Sequence, residues 1–399
     1  MDNEQPLSGS EGPVGNRQAT GPLAGLRVIE LAGLGPGPFC AMVFADLGAE
    51  VLRLERTAMP AAVSGAVDRR LVLTRGRQAL GVDLKDRRGI ELVLTMVEHA
   101  DVLLEGFRPG VLERIGLSPV ICLERNPRLV YGRITGYGRE GPLAAEAGHD
   151  INYISIAGAL GPIGRKGEAP VPPLNLVADF GGGGMLLAMG ILAALYERTR
   201  SGLGQVVDAS MVDGAALLTT MFHEMRGLSL WNDERGTNSL DTGAHYYNVY
   251  ETSDGQFLSV GAMEPRFYRS FMEGLGFSDE DIPPQDDQSQ WEPLKRRVAG
   301  ILRRRTQAEW LARFHGTDAC VTPVLSLGEA PTHPHNRERA TFVDVGGITE
   351  PAPAPRFSRT PSAVPSPPPA PGVHATQALL RWGVSQTHID LLVANGIID

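Results

Sequence analysis

Short apolar runs alternate with stretches of helical period from Leu26 onward past Gln205, and this alternation constrains the chain more than any other feature. Residues 26–32 read as a buried strand, residues 33–37 as a glycine- and proline-rich turn, residues 39–47 as a helix and residues 49–55 as a second strand. A strand, a helix and a strand in that order return to one sheet as a parallel pair with a right-handed crossover. The pattern continues with a helix over 89–100, strands over 102–105 and 129–135, and a short strand over 205–208 that feeds a helix from Met211. The expected fold class is therefore α/β, with a Rossmann-like large domain built on a parallel sheet.

Four segments are expected. Residues 1–20 are rich in Gly, Ser, Pro, Asn and Gln and read as a disordered tail; residues 21–228 form the large domain. Around residues 231–241 the text turns polar and irregular. A hairpin signal follows, with runs at 246–250 and 256–260 joined across Ser253-Asp254-Gly255, and then helices over 265–275 and 291–304. Residues 229–338 thus form a smaller α+β domain, and residues 339–399 return to the large one. The Pro-rich stretch 351–372 makes an extended connection before two short helices.

The chain has 399 residues, 42% hydrophobic and 21% charged, enough to bury a sizeable core. A formal net charge of −9 argues against nucleic acid as a partner, because phosphate backbones demand a basic face. Cys40, Cys122 and Cys320 are far apart with no CxxC pair, so neither a disulfide framework nor a zinc site is expected, and a reducing cytoplasm is the expected setting. The apolar run 185–196 is too short to cross a bilayer, so no membrane association is expected.

One motif misleads. Gly33-Leu-Gly35-Pro-Gly37 follows a strand, opens a helix and is followed by Glu55 at the end of the next strand, as in a dinucleotide fingerprint. The third glycine position is however Pro38 or Cys40, and Pro36 and Pro38 remove N–H donors that a pyrophosphate needs. A tight strand-to-helix turn accounts for the glycines. Two stretches hold the chemistry instead. Gly148-His149-Asp150-Ile151-Asn152-Tyr153 can start a helix, with Asp150 capping it and His149 packed beside it, or can carry a reactive pair. Asp179, followed by Phe180 and four glycines, is either a second cap or a carboxylate beside a close backbone approach to a ligand or a neighbouring chain. His333 and His335 fall in a Pro-interrupted loop, which fits a surface turn better than a metal site.

The blocks Gly148-His-Asp-Ile-Asn-Tyr153, Pro173-Leu-Asn-Leu-Val-Ala-Asp-Phe180, Gly204-Gln-Val-Val-Asp-Ala209 and Gly261-Ala-Met-Glu-Pro265 resemble those of α-methylacyl-CoA racemases. Pro22-Leu-Ala-Gly-Leu-Arg-Val-Ile-Glu-Leu31 and Leu104-Glu-Gly-Phe-Arg-Pro-Gly110 are similar to blocks shared across the family III CoA-transferases. The resemblance runs from about residue 21 to the C-terminus. It implies racemisation at the α-carbon of 2-methyl-branched acyl-CoA thioesters, with His149 and Asp179 exchanging the α-proton on opposite faces and Glu264 orienting the histidine. Asp150 corresponds to the covalent nucleophile of the transferases; in racemases its backbone N–H faces the thioester oxygen.

By the same resemblance Arg56, the segment Val82-Asp83-Leu84-Lys85, the segment Gly106-Phe107-Arg108, and Arg114 contact coenzyme A. Gly148, Ile151, Asn152 and Tyr153 line the substrate, and Asn175 supports Asp179 or the pantetheine. No cofactor or metal is implied, coenzyme A being part of the substrate. The family implies an interlocked homodimer in which Glu264 reaches His149 across the subunit boundary. A transferase using Asp150 as acyl nucleophile and a catalytically silent acyl-CoA-binding protein are the competing readings. The chain departs from the racemase pattern at Thr242-Gly-Ala-His245-Tyr246-Tyr247, where Gly-Gly-Ala-Pro usually precedes the aromatic pair. That loop is expected to border the acyl pocket, with His245 either altering acyl preference or pointing to solvent.

Overall fold

A computed structural model describes residues 20–57, 72–367 and 375–399. The expected disordered tail, up to residue 19, and residues 368–372 of the Pro-rich connection lie outside the described residues. Strands β1 (Arg27–Leu31), β2 (Glu50–Glu55), β3 (Gln78–Gly81), β4 (Val102–Glu105), β5 (Val130–Thr135) and β6 (Val206–Ser210) form one sheet in the order 3-2-1-4-5-6. Every neighbouring pair in it is parallel. This is the doubly wound order, whose direction reverses between β1 and β4.

Side chains alternate along each strand, and both faces are apolar because both are covered. Ile29, Leu31, Leu52, Leu54, Leu80 and Leu103 pack to one side; Val28, Val51, Val102, Leu104 and Val130 pack to the other. Helix α1 (Pro36–Asp46) covers the second face through Cys40, Ala41 and Phe44, and α2 (Arg87–Val97) covers the first through Leu92, Val93, Met96 and Val97. Short helices α3 (Val111–Ile115) and α4 (Pro119–Arg125) join β4 to β5, and α5 (Asp150–Ile156) follows β5. A π-helix (Leu176–Met185) then runs without a break into α6 (Leu186–Ser201), which lays Leu187, Ala188, Ile191 and Ala194 on the sheet. Helices α7 (Met211–Leu218) and α8 (Thr220–Gly227) follow β6.

A second core forms around an antiparallel sheet of β7 (Tyr247–Glu251), β8 (Phe257–Gly261) and β9 (Val321–Pro323). Helices α9 (Pro265–Leu275), α10 (Gln288–Leu302) and α11 (Gln307–Phe314) close it with Phe271, Met272, Trp291, Val298 and Trp310. Helix α12 (Pro334–Glu338) leads to a hairpin of β10 (Phe342–Val345) and β11 (Ile348–Pro351). Buried Arg75 ties this hairpin to α1: its guanidinium reaches Asp46 at 2.6 Å and Glu350 at 2.8 Å. Finally α13 (Ala375–Arg381) and α14 (Gln386–Ala394) bring Leu379, Trp382, Ile389 and Leu392 onto the first face of the sheet.

The elements absent from the sequence reading include β3, β9, the β10–β11 hairpin, the π-helix and the short helices α3, α4, α11 and α12. Strand β3 is four residues long and directly follows Arg75-Gly76-Arg77, whose two guanidiniums look like surface charge yet are buried. A π-helix has no distinctive side-chain period. The run read as too short to span a bilayer belongs to a continuous helix, Leu176–Ser201, which by length and composition alone is sufficient to cross a membrane. Cys40 and Cys122 are buried free thiols and Cys320 is exposed.

Candidate active site

Where the strand order reverses, the loops leaving β1 and β4 diverge and open a crevice at the carboxyl edge of the sheet. A cavity of about 410 Å3 occupies it, lined by residues 33–38 after β1, 104–109 at the end of β4, and 134–137 at the end of β5. Gly148, His149, Tyr153 and Asp179 line the same cavity.

His149 is the N-cap of α5, in extended conformation, and its side chain is exposed. Its backbone N–H donates to the Asn152 Oδ1 at 3.0 Å, so Asn152 secures the helix start. Tyr153 is buried one turn in; its hydroxyl donates to the Gly148 carbonyl, and burial pushes it up to about 12. Asp150, at the first helical position, is only 3% exposed. Its Oδ2 accepts the backbone N–H groups of Ala178 at 2.7 Å and Asp179 at 2.8 Å.

Asp179 projects from the π-helix into the cavity. Its carboxyl is raised above the usual carboxylate range by burial, and the Asp150 charge pushes the same way. The Asn175 amide, donating to Asp179 Oδ2 at 3.1 Å, and the His149 imidazole act in the opposite direction. The four glycines after Phe180 answer the question of close approach: the neighbours are helices of the same chain. A Cβ on Gly182 would stand 2.6 Å from the Ala215 nitrogen, and one on Gly214 would stand 1.8 Å from the Gly182 oxygen. Opposite them, the turn that imitates a dinucleotide fingerprint lies against Asp179. Gly35 has φ +65°, and a Cβ there would meet Asp179 Oδ2 at 3.3 Å.

The floor and rim carry charge that the apolar strand runs disguise. Glu30 lines the cavity and is held by Arg53 at 2.5 Å and by Arg77, and Arg53 also reaches Glu55 at 2.6 Å. Glu105 accepts from Arg133 at 2.8 Å and from the Phe107 N–H at 2.8 Å, which fixes the loop bearing Gly106, Phe107 and Arg108. The signal for both was a glutamate set in or closing an apolar run, Val28-Ile-Glu30-Leu31 and Val102-Leu-Leu-Glu105.

Arg56 stands exposed just beyond β2, and Asp83, Leu84 and Lys85 follow β3, so the parallel sheet brings them to the same carboxyl edge as Arg108. Val82 puts its side chain in the core, and its neighbour Asp83 donates its N–H to the Ile397 carbonyl at 2.9 Å. Arg114 sits exposed on α3, and Ile151 and Asn175 lie exposed beside the cavity-lining residues without lining the cavity themselves. Glu264 is the exposed N-cap of α9 and does not line the cavity. His333 caps α12 and His335 lies in its first turn; among the described residues no group of His, Cys, Asp and Glu is arranged to hold a metal ion.

His245 corrects an expectation. Leu240, Asp241 and Thr242 line a second, largely apolar cavity of about 620 Å3 with Val177, Phe222 and Trp231. The His245 side chain turns away from it and from solvent. It is 0% exposed, with Nε2 2.9 Å from the Tyr268 hydroxyl and its ring edge-on to Tyr246 and Tyr268. The small-domain core takes it up, so it does not point to solvent.

Comparison with known proteins agrees with this arrangement. A mouse alpha-methylacyl-CoA racemase is 48% identical over 380 residues, covering 94% of this chain and 97% of the relative. The human alpha-methylacyl-CoA racemase is 45% identical with the same coverage. The crystal structure of Rv3272 from Mycobacterium tuberculosis superposes with a TM-score of 0.74 at 27% identity, over 89% of this chain and 98% of that one. With the doubly wound sheet, the crevice at its switch point and a match to the family profile over residues 23–375, the chain belongs to CoA-transferase family III.

Proposed function

We propose that this protein is an α-methylacyl-CoA racemase, interconverting the (R) and (S) epimers of 2-methyl-branched acyl-CoA thioesters by 1,1-proton transfer. The observation that carries the reading is His149 and Asp179 lining one cavity, in a chain nearly half identical to two such racemases. A proton α to a thioester is weakly acidic because the resulting enolate puts its charge on the thioester oxygen. Inverting the carbon needs a base on each side of the planar enolate, each alternately accepting and donating. Histidine suits this because its ordinary range lies near neutrality, and the partly buried Asp179 carboxyl is raised towards it. The Asp150 backbone N–H, at a helix start where N–H groups lack intrahelical partners, is assigned to the enolate oxygen, a contribution of about 3 kcal/mol. Such a reaction moves only a proton, so we assign no metal or redox cofactor to it.

Arg56, Lys85, Arg108 and Arg114 are assigned to the coenzyme A phosphates, supplying positive charge on an acidic chain. A homodimer completes the site in this reading. The continuous helix Leu176–Ser201 exposes Met185, Met189, Leu192 and Tyr196 along one stripe, and Leu217, Leu218 and Met221 lie exposed on α7 and α8. An apolar face of that extent is suited to a partner surface. Glu264, which does not line the cavity of its own chain, would then orient the imidazole from a second copy.

The transferase reading asks Asp150 to attack an acyl carbon, for which its buried, hydrogen-bonded carboxylate is poorly disposed. The two are separated by incubating either epimer of a 2-methylacyl-CoA in deuterated water. Racemisation predicts α-deuterium incorporation with convergence of the epimers and no need for a free acid. Transfer of CoA to an added carboxylic acid without deuterium uptake, with an adduct at Asp150 trapped by hydroxylamine, would refute it.

A further inference from the structure

We infer that the Asp150 carboxylate is a positioning strut: it fastens the backbone of the π-helix so that Asp179 meets the α-carbon from the side opposite His149. This rests on the racemase reading and assigns a task to an acidic side chain that touches no substrate in it.

Asp150 Oδ2 takes the N–H groups of Ala178 and Asp179, the third and fourth residues of the π-helix. First-turn N–H groups have no partners within their own helix, and a carboxylate is the strongest acceptor a side chain can offer them. The other oxygen, Oδ1, is enclosed and has no hydrogen-bond partner among the described residues. A nucleophile needs an open lone pair aimed at its target, whereas this carboxylate spends Oδ2 on two backbone donors and hides Oδ1. His149 is the immediate chain neighbour, so a single dipeptide fixes both bases, one through its backbone and the other through a side chain. From the far side the π-helix is seated against α7 at Gly182 and Gly214, so Asp179 is gripped between two supports. The charged and titratable groups facing Asp179 are Asp150, His149 and Tyr153, all from the α5 start, with the Asn175 amide from its own segment.

Two substitutions test the strut, read first against wild-type exchange. Asp150→Asn keeps an oxygen acceptor for the two N–H groups and removes the negative neighbour; Asp150→Ala removes both. The alanine variant is expected to lose about 100-fold in kcat with KM for the acyl-CoA changed less than about threefold, and the asparagine variant no more than about tenfold in kcat. In Asp150→Asn the acid limb of the kcat profile moves to lower pH, since Asp179 ionises more easily without the adjacent charge. Titration of the 13C-labelled Asp179 carboxyl by NMR reads the same shift without any turnover. An alanine variant with wild-type kcat, an effect confined to KM, or an Asp179 titration unmoved in Asp150→Asn would each overturn the strut. Wild-type protein that exchanges no α-proton would instead overturn the racemase reading, while the amide-proton shifts of Ala178 and Asp179, expected to move upfield in Asp150→Ala and unchanged if the strut is wrong, still decide the strut.

Discussion

At Asp179 opposing influences act on one carboxyl. Burial and Asp150 raise it, and the Asn175 hydrogen bond and His149 lower it. A carboxylate accepts a proton only when ionised, so turnover in the direction that uses Asp179 as base falls as pH drops through its raised pKa. Asn175→Ala removes a stabiliser of the charged form. The acid limb of the pH–rate profile for that direction is expected to move to higher pH, the opposite of the shift expected for Asp150→Asn. His245 offers a separate titration. Burial, then the charge of Lys295, lowers it from 6.5 to about 4. Its folded pKa is depressed, so the folded state holds it neutral while the unfolded chain takes up a proton below pH 6.5. Its contribution is therefore intact above pH 6.5 and is lost as pH falls towards 4, at a cost approaching about 3 kcal/mol. Urea unfolding at pH 7 and pH 5 is expected to show a smaller pH-dependent loss in His245→Gln than in wild type. At this scale the sequence reading located His149 and Asp179 by their surrounding blocks. It missed where the Asp150 carboxylate goes, because its partners lie 28 and 29 residues along the chain and are backbone groups with no signature.

Among the elements, the π-helix decides the most. Its wider turn carries Asp179, and the glycines that follow let its backbone touch that of α7. Gly214→Ala would drive a methyl group into the Gly182 carbonyl, and a loss of about 3 kcal/mol or more is expected by thermal or urea unfolding. Gly300→Ala, in the exposed interior of α10 with no heavy atom within 4 Å of the added carbon, is expected to be neutral or to stabilise by up to about 1 kcal/mol. The parallel strands were legible because each is an apolar run followed by a turn and a helical period: β4 was read at its observed limits, and β1, β2 and β5 within a residue or so. Strand β3 was not legible, its short run being preceded by two arginines that buried carboxylates neutralise. The false fingerprint at residues 33–37, read as a tight turn, carries a further lesson. Its glycines serve a turn, yet the switch point puts that turn on the wall of the site, one residue of it against Asp179.

For the whole molecule, the doubly wound order explains how residues as far apart as Arg56 and Arg108 come to one side of the sheet, where the proposed ligand would lie: parallel strands deliver their carboxyl ends to a single edge. It does not place Glu264 in the cavity; in the proposed dimer that residue would come from a second copy, a contact no pattern along one chain specifies. The exposed stripe on the helix Leu176–Ser201 is the feature on which the proposed dimer rests. Met189, 58% exposed at its centre, is therefore a sensitive point. Met189→Asp is expected to shift the sedimentation coefficient from dimer to monomer and to lower exchange activity together. A variant that stays dimeric and fully active would remove the stripe from the interface.

The central claim is that His149 and Asp179 serve opposite faces of one carbon, and single-epimer exchange tests it most directly. His149→Ala and Asp179→Asn are each incubated in deuterated water with pure (R)- and pure (S)-2-methylacyl-CoA, and α-deuterium is followed by mass spectrometry. Neither variant is expected to interconvert the epimers, and each is expected to retain exchange of one epimer only, a different one in the two variants. Retention of the same epimer by both, or epimerisation at the wild-type rate by either, would contradict the account.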